Sequence, residues 1–312
     1  MIERLQQNRT ALGSQAFLTL IANEGNGTAT IFEDLWDIII NFEQRFSRFK
    51  VDSELSEFNH RAGTTIKISK QFHAMLSACQ AMSRETVGLF NPFILPSLQQ
   101  AGYIGSWPTP KAFTPMLDYR SRGNFTSTND INLLKDSARI PADSALDFGG
   151  IGKGYLLDEL SLYLKKNGYN NYWLSLGGDI ICSGKDIGNQ AWSVGVQSTS
   201  DEKKLIANIA NVSGGLLAIA TSGVIKRNGM HQNISWHHII DPRFGKPALT
   251  DLLTVTVTAS DAMHADVYAK CLVILGSKEA KHYIEQHHIK AAYLQTQDEQ
   301  TIIYDVNEMS TI

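Results

Sequence analysis

Cysteine is scarce in this chain. Cys79, Cys182 and Cys271 stand far apart, in odd number and without a CxxC pair. That spacing argues against a disulfide framework or a structural zinc site and fits a reducing compartment. Long apolar runs are missing too: none approaches the roughly 18 residues that suggest a membrane span. The opening residues, M-I-E-R-L-Q-Q-N-R-T, lack the apolar core of a secretory signal, which predicts a cytoplasmic protein. Excess positive charge is absent. A formal net charge of −3 argues against non-specific nucleic-acid binding. No HExxH or Cys/His spacing of a zinc site occurs. What remains is a globular composition, 43% hydrophobic and 19% charged over 312 residues. Such a chain can bury a large core as one large domain or two intimate ones.

The pattern mixes α and β elements without internal repeats. Residues 16–22 read as a strand. Residues 30–46 read as an amphipathic helix, with Ile31, Leu35, Ile38, Ile39 and Phe42 near helical spacing. A second helix is expected over 70–86, and a short one near Ser97, inside L-F-N-P-F-I-L-P-S-L. Residues 105–130 look like an irregular surface excursion. A helix is expected from Tyr155 to about Asn167, stopped at Gly168. Strands are expected at 172–176, 180–182, 192–197, 205–212 and 216–221. Leu253, Val255 and Val257 alternate with Thr254, Thr256 and Thr258, as in a half-buried strand. Ser260 is the expected cap of a helix to about Leu275; a further helix at 278–287 and strands at 291–295 and 301–306 follow. Neighbouring strands joined by short turns outnumber strand–helix–strand units, which favours α+β over a doubly wound sheet.

The most informative segment is D-F-G-G-I-G-K-G-Y, Asp147 to Tyr155. Glycines let backbone N–H groups approach a bulky anion, and a helix N-terminus favours negative charge. Lys153 adds a point charge, so a phosphate-bearing ligand fits. The standard templates fail: Gly154 stands where a Walker loop needs Ser or Thr, and Tyr155 where a Rossmann loop needs glycine. Alone, the loop is equally a ligand site or a tight turn. Four more polar clusters follow: S-L-G-G-D, A-T-S-G before Lys226 and Arg227, H-H-I-I-D-P-R-F-G, and A-M-H-A-D-V-Y-A-K. Each has a plain structural explanation. The paired glycines fit a hairpin, T-S-G a turn, and H-H-I-I-D-P a strand ending at a proline turn. Asp266 and Lys270, at i and i+4, fit a surface ion pair worth about 0.3–0.5 kcal/mol.

Taken together and in order, these segments resemble the ApbE family. The set is D-F-G-G-I-G-K-G-Y, S-L-G-G-D-I, A-T-S-G, H-H-I-I-D-P-R-F-G-K-P-A and T-V-T-V-T-A-S-D-A-M-H-A-D. S-R-F-K-V-D-S-E-L-S-E-F-N and G-L-F-N-P-F-I-L-P-S-L are similar to the family's earlier motifs, so the likeness covers roughly residues 10 to 280. It implies a single α+β domain over 1–312, related to the T-fold. Mixed, largely antiparallel sheets would carry packed helices, with FAD held between two intertwined halves. The implied activity is FAD:protein FMN transfer, in which FMN passes from FAD to a Ser or Thr hydroxyl of an acceptor flavoprotein and AMP is released. A non-catalytic FAD carrier or sensor, and an FAD pyrophosphatase giving FMN and AMP, are the alternatives. Phosphoryl transfer is governed by positioning and charge neutralisation, and the family's metal, usually magnesium, would polarise phosphoryl oxygens.

The resemblance also implies residue roles. Asp266 matches the metal-binding aspartate, and Gly150 a position whose carbonyl binds that metal. Asp147 and Lys153 match FAD contacts. His238 matches the histidine that assists proton removal from the acceptor hydroxyl, with His237 on the opposite strand face. Ile240 matches a main-chain FAD contact. Leu12, Phe49, Leu89, Phe90 and Asn91 match flavin- or adenine-packing positions. Thr221, Ser222 and Gly223 would form a turn beside the cofactor. Several residues depart from the pattern. Lys270 stands where Thr is common, Asn91 where Asp is, Phe49 where Tyr is, and Leu12 where Met is; V-I-K-R after T-S-G is also unusual. A cation at Lys270 either repels magnesium or takes over part of its role, and so counts here with the catalytic group.

Overall fold

A computed structural model describes residues 2–305 apart from 24, 26, 104, 106–125, 202 and 232–233. Most of the expected 105–130 excursion lies outside the described residues. The chain divides into two compact units, Met1–Asn41 with Gly152–Gly223 and Thr250–Ile312, and Phe42–Ile151 with Val224–Leu249.

The first unit is built on an eight-stranded sheet. Its strands, in spatial order, are Ile2–Ala11, Ser14–Asn23, Tyr172–Leu176, Asp179–Ser183, Leu217–Gly223, Leu252–Ala259, Ala291–Thr296 and Thr301–Asp305. Every neighbouring pair is antiparallel. The helices Gly152–Lys166 and Ala262–Leu275 pack together and against the middle strands. A two-stranded ribbon, Ser193–Gln197 with Leu205–Ala210, covers the other face. Its Val194, Val196 and Ile209 join Ile180, Ile219 and Tyr293 in one apolar cluster.

That ribbon corrects the expectation of a half-buried threonine strand. Thr254, Thr256 and Thr258 are buried along with Val255 and Val257. Buried hydroxyls need partners: Thr256 shares a hydrogen bond with Thr221, and Thr254 accepts one from Gln295, whose amide also donates to the ribbon at Gln197 O. The first strand, Ile2–Ala11, had no sequence signal. It is a largely exposed edge and lacks the apolar alternation that marks a half-buried strand. Pairing with Ser14–Asn23 through a two-residue turn holds it, with Leu12 at φ 54° and Gly13 at φ 68°. These left-handed angles suit a tight hairpin, but a leucine there is strained.

The second unit contains the helices Glu54–His60, Lys70–Glu85 and Leu95–Ala101 and a small three-stranded sheet. Ser53 and Ser69 cap the first two helices by accepting the Ser56 and Phe72 N–H groups. Phe46, Phe58, Phe72 and Phe148 interlock at centroid distances of 5.0–5.9 Å. The Glu54–His60 helix was not expected, being two turns long and too short for a periodic signal. Among the described residues no helix is long and apolar enough to cross a membrane.

Candidate functional site

In the first unit the glycine motif enters its helix earlier than expected, at Gly152 and not Tyr155. Lys153 and Gly154 therefore belong to the first helical turn. The Lys153 ammonium forms an ion pair with Asp179, the first residue of its strand. On the Ala262–Leu275 helix, Lys270 Nζ donates to Asp266 Oδ1 at 3.2 Å, one turn away. The Gly154 N–H donates to the other oxygen of Asp266 at 3.4 Å. Two carboxylates and two ammonium groups are thus gathered at one helix start. Asp266 is 2% exposed, which corrects the reading of its pair with Lys270 as a surface contact. Burial pushes the Asp266 carboxyl up, but Lys153, Lys270 and the Gly154 N–H together hold it below the ordinary carboxylate range.

Gly154 has a purpose the sequence did not show. A Cβ there would lie 2.3 Å from the Ala262 carbonyl oxygen and 2.7 Å from Met263 Cα. Only glycine lets the two helix starts approach so closely. One turn later, Asp158 accepts the Ala262 and Met263 N–H groups at 2.8 and 2.9 Å, satisfying two free donors of the facing helix. Burial raises the Asp158 carboxyl to about 6, even against these hydrogen bonds. The cap of the facing helix is Asp261, which accepts the His264 N–H, and not the expected Ser260.

Thr221, Ser222 and Gly223 are the end of a strand, paired with Thr256, Val255 and Thr254, and not the expected turn. Thr221 N donates to Asp179 Oδ1 at 3.2 Å, tying this strand end to the Lys153 pair. Gly177 and Gly178 form a hairpin turn at φ 62° and 97°, delivering Asp179 to its place. Leu12 lies in the strained hairpin turn of the same unit.

The second unit carries the other positions. Asp147 accepts from Gly149 N and pairs with Arg48 at 2.7 Å, both side chains nearly buried. The Arg48 guanidinium also lies over the rings of Phe49 and Tyr103, 4.2 and 4.8 Å from their centroids. Phe49, Ile240 and Trp236 join Tyr103 and Leu98 in one apolar cluster. His238 lies edge-on to Tyr103, with Nδ1 3.3 Å from Arg227 O. His237 turns to a different partner, with Nε2 3.1 Å from Ala248 O, and burial lowers its pKa. Asp241 is engaged by the Arg243 side chain and by Arg243 N, and its carbonyl accepts Gly245 N, so D-P-R-F-G is a self-closed turn. Leu89 is half-buried and Phe90 is buried. Asn91 is also buried, accepting Phe93 N and donating to Thr126 O. Gly150 is buried in the turn before Gly152.

Sequence reasoning missed Arg48, Asp158 and the full part of Asp179. Arg48 lies inside S-R-F-K and Asp179 closes S-L-G-G-D, so both were within motifs but without an assigned role. Asp158 had no local signal, because its partners lie more than a hundred residues away.

The family resemblance implies magnesium at Asp266. Among the described residues, no group of three or more His, Cys, Asp or Glu side chains could hold a metal. Both Asp266 oxygens are engaged, one by an ammonium. Unit charges about 4 Å apart interact by about 4 kcal/mol at an effective dielectric of about 20, and for a dication the doubled repulsion from that ammonium offsets the doubled attraction to the carboxylate. The residues as they stand do not fit a divalent cation.

Comparison with known proteins gives the lineage. The model of the ApbE family matches residues 12–294. A protein of Haemophilus influenzae named FAD:protein FMN transferase is 27% identical over 284 residues, covering 87% of this chain and 81% of the relative. One of Klebsiella pneumoniae with the same name is 25% identical over 271 residues, 85% of this chain and 80% of the relative. The crystal structure of the ApbE protein from Thermotoga maritima superposes with a TM-score of 0.84 at 20% identity, covering 98% of this chain and 99% of that one. The flavin transferase ApbE of Vibrio cholerae gives 0.79 at 22% identity, with complete coverage of both chains. The fold expected from the motifs, α+β with largely antiparallel sheets, is the observed one, and the chain belongs to the ApbE family.

Proposed function

We propose that this chain is an FAD:protein FMN transferase, acting on a Ser or Thr hydroxyl of an acceptor flavoprotein and releasing AMP. The observation that carries the reading is the pair of lysines held by buried carboxylates at the first turn of the Gly152–Lys166 helix. A pyrophosphate needs fixed positive charge, and a helix start flanked by two ammonium groups supplies it. The matching names of the Haemophilus and Klebsiella relatives support the choice of flavin chemistry.

In this reading the acceptor hydroxyl oxygen attacks the FMN-side phosphorus of FAD. The bond from that phosphorus to the bridging oxygen breaks, and AMP leaves carrying the oxygen. The hydroxyl proton passes to His238. With Nδ1–H donating to Arg227 O, the lone pair of His238 lies on Nε2, where it can accept that proton. Lys153 and Lys270 neutralise the charge that grows on the departing phosphate. Asp147, Phe49, Leu12, Leu89, Phe90, Asn91, Ile240 and the Thr221–Gly223 strand end are assigned to FAD binding on the family pattern.

The test incubates the protein with FAD and a Ser- or Thr-bearing acceptor and follows AMP and the acceptor's mass. A gain equal to FMN, matched by AMP, is the expected result. Free FMN and AMP without labelling would indicate a pyrophosphatase, and bound, unchanged FAD a flavin carrier; either overturns the transferase reading.

A further inference from the structure

Lys270 occupies a position that decides how this site handles charge. Its ammonium is anchored on Asp266 from within the same helix, and the two side chains are 15% and 3% exposed. Asp266 is further bound by the Gly154 N–H, so a ligand arriving at the helix start meets a cation already fixed in place. Lys153 is held in the same way by Asp179, whose other oxygen is fixed by Thr221 N. Each lysine is thus paired with its own carboxylate, and each carboxylate has a backbone donor that sets its orientation. A metal ion bound at Asp266 would have to displace an ammonium from a buried carboxylate.

We propose that Lys270 replaces the divalent cation of the transfer reaction, so that this chain moves FMN without a metal. The proposal rests on the transferase reading for its chemistry, while its cation part stands on the ion-pair geometry. Lys270 donates to a non-bridging or departing phosphate oxygen while Asp266 keeps its ammonium aimed. The bonds made and broken are those given above. The positive charge comes from the side chain, and the hydroxyl proton still leaves through His238. Asp266 then acts as a positioning residue for a cation that belongs to the protein.

The test has one arm that does not depend on turnover. Full-length protein saturated with FAD is titrated with Mn2+, and the free-ion signal is read by electron paramagnetic resonance. Wild type is expected to leave that signal unchanged, whereas Lys270→Thr takes up one Mn2+ per chain. In the second arm AMP release is measured with and without EDTA. Wild type should be unaffected by EDTA. Lys270→Thr should lose activity on the order of 10²-fold in EDTA, as for removal of one donor to a developing oxyanion, and recover with Mg2+. FAD fluorescence quenching of the variant checks that its binding site is intact. One Mn2+ bound by wild type, or loss of wild-type AMP release in EDTA, overturns the proposal. If no variant transfers FMN but the Mn2+ results are as expected, the transferase reading fails and the assignment of Lys270 to the cation position stands.

Discussion

Replacing Gly154 with alanine sets two physical effects against each other, and their sign can be read in a melting curve. Alanine in a helix is favoured over glycine by about 1 kcal/mol. Here, however, the new Cβ would stand 2.3 Å from Ala262 O and 2.7 Å from its carbonyl carbon. Ordinary contact begins near 3.4 Å, so the helices Gly152–Lys166 and Ala262–Leu275 must separate by about an ångström. Overpacking of this kind costs about 1–3 kcal/mol. Separation also stretches the two Asp158 hydrogen bonds to Ala262 N and Met263 N, each worth about 1.5–3 kcal/mol because the acceptor is charged. Partial loss of both, less the helix gain, leaves a net destabilisation of about 4 kcal/mol. For a chain of this size that lowers the melting temperature by about 6 °C. Calorimetry and urea unfolding would measure it, with FAD titration reporting the site. A Gly154→Ala protein as stable as wild type would refute the close-approach argument and return this glycine to phosphate binding.

Three further outcomes follow from the same geometry. Asp266→Asn leaves the two ammonium groups with one fewer buried counter-charge, so stability should fall by about 3–5 kcal/mol. AMP release should drop with it, and unchanged turnover would remove Asp266 from the site. Asp158 titrates near 6, above its ordinary 3.8, so the unfolded chain releases that proton first. Stability should therefore decline as pH rises from about 4 to 6, with a contribution of about 3 kcal/mol; Asp158→Asn should abolish that slope, and a slope that persists refutes the assignment. Leu12→Asn should relieve a left-handed strain of about 1–2 kcal/mol, since Asn-Gly suits this turn. If Leu12 packs the flavin, the same variant binds FAD more weakly while melting higher; a rise in melting temperature with unchanged affinity would make the strain purely local.

Much of the fold was legible because its signals are local. The helices Thr28–Phe46 and Lys70–Glu85 show apolar spacing, and Tyr172–Leu176 is followed by two glycines that turn the chain. The failures share a cause. The strand Ile2–Ala11 exists through its partner Ser14–Asn23, the threonine face of Leu252–Ala259 is buried by a ribbon, and T-S-G is straightened by pairing with Thr254–Thr256. Each depends on a neighbour, and polarity along the chain carries no record of neighbours.

The ordered motifs alone sufficed for the family, because glycines, capping acids and site lysines are needed at fixed places along the chain. Composition alone also bounded the class of protein. Tertiary structure decided the charge state of the site: a pair at i and i+4 is ordinary on an exposed helix, and Asp266 with Lys270 looks no different in sequence. Packing against the Gly154 helix turn removes that pair from water and adds Lys153 as a second cation for the Asp266 carboxylate. Low solvent access strengthens each of these interactions, and it makes Lys270 a fixed part of the site where a solvated lysine would have been a surface charge.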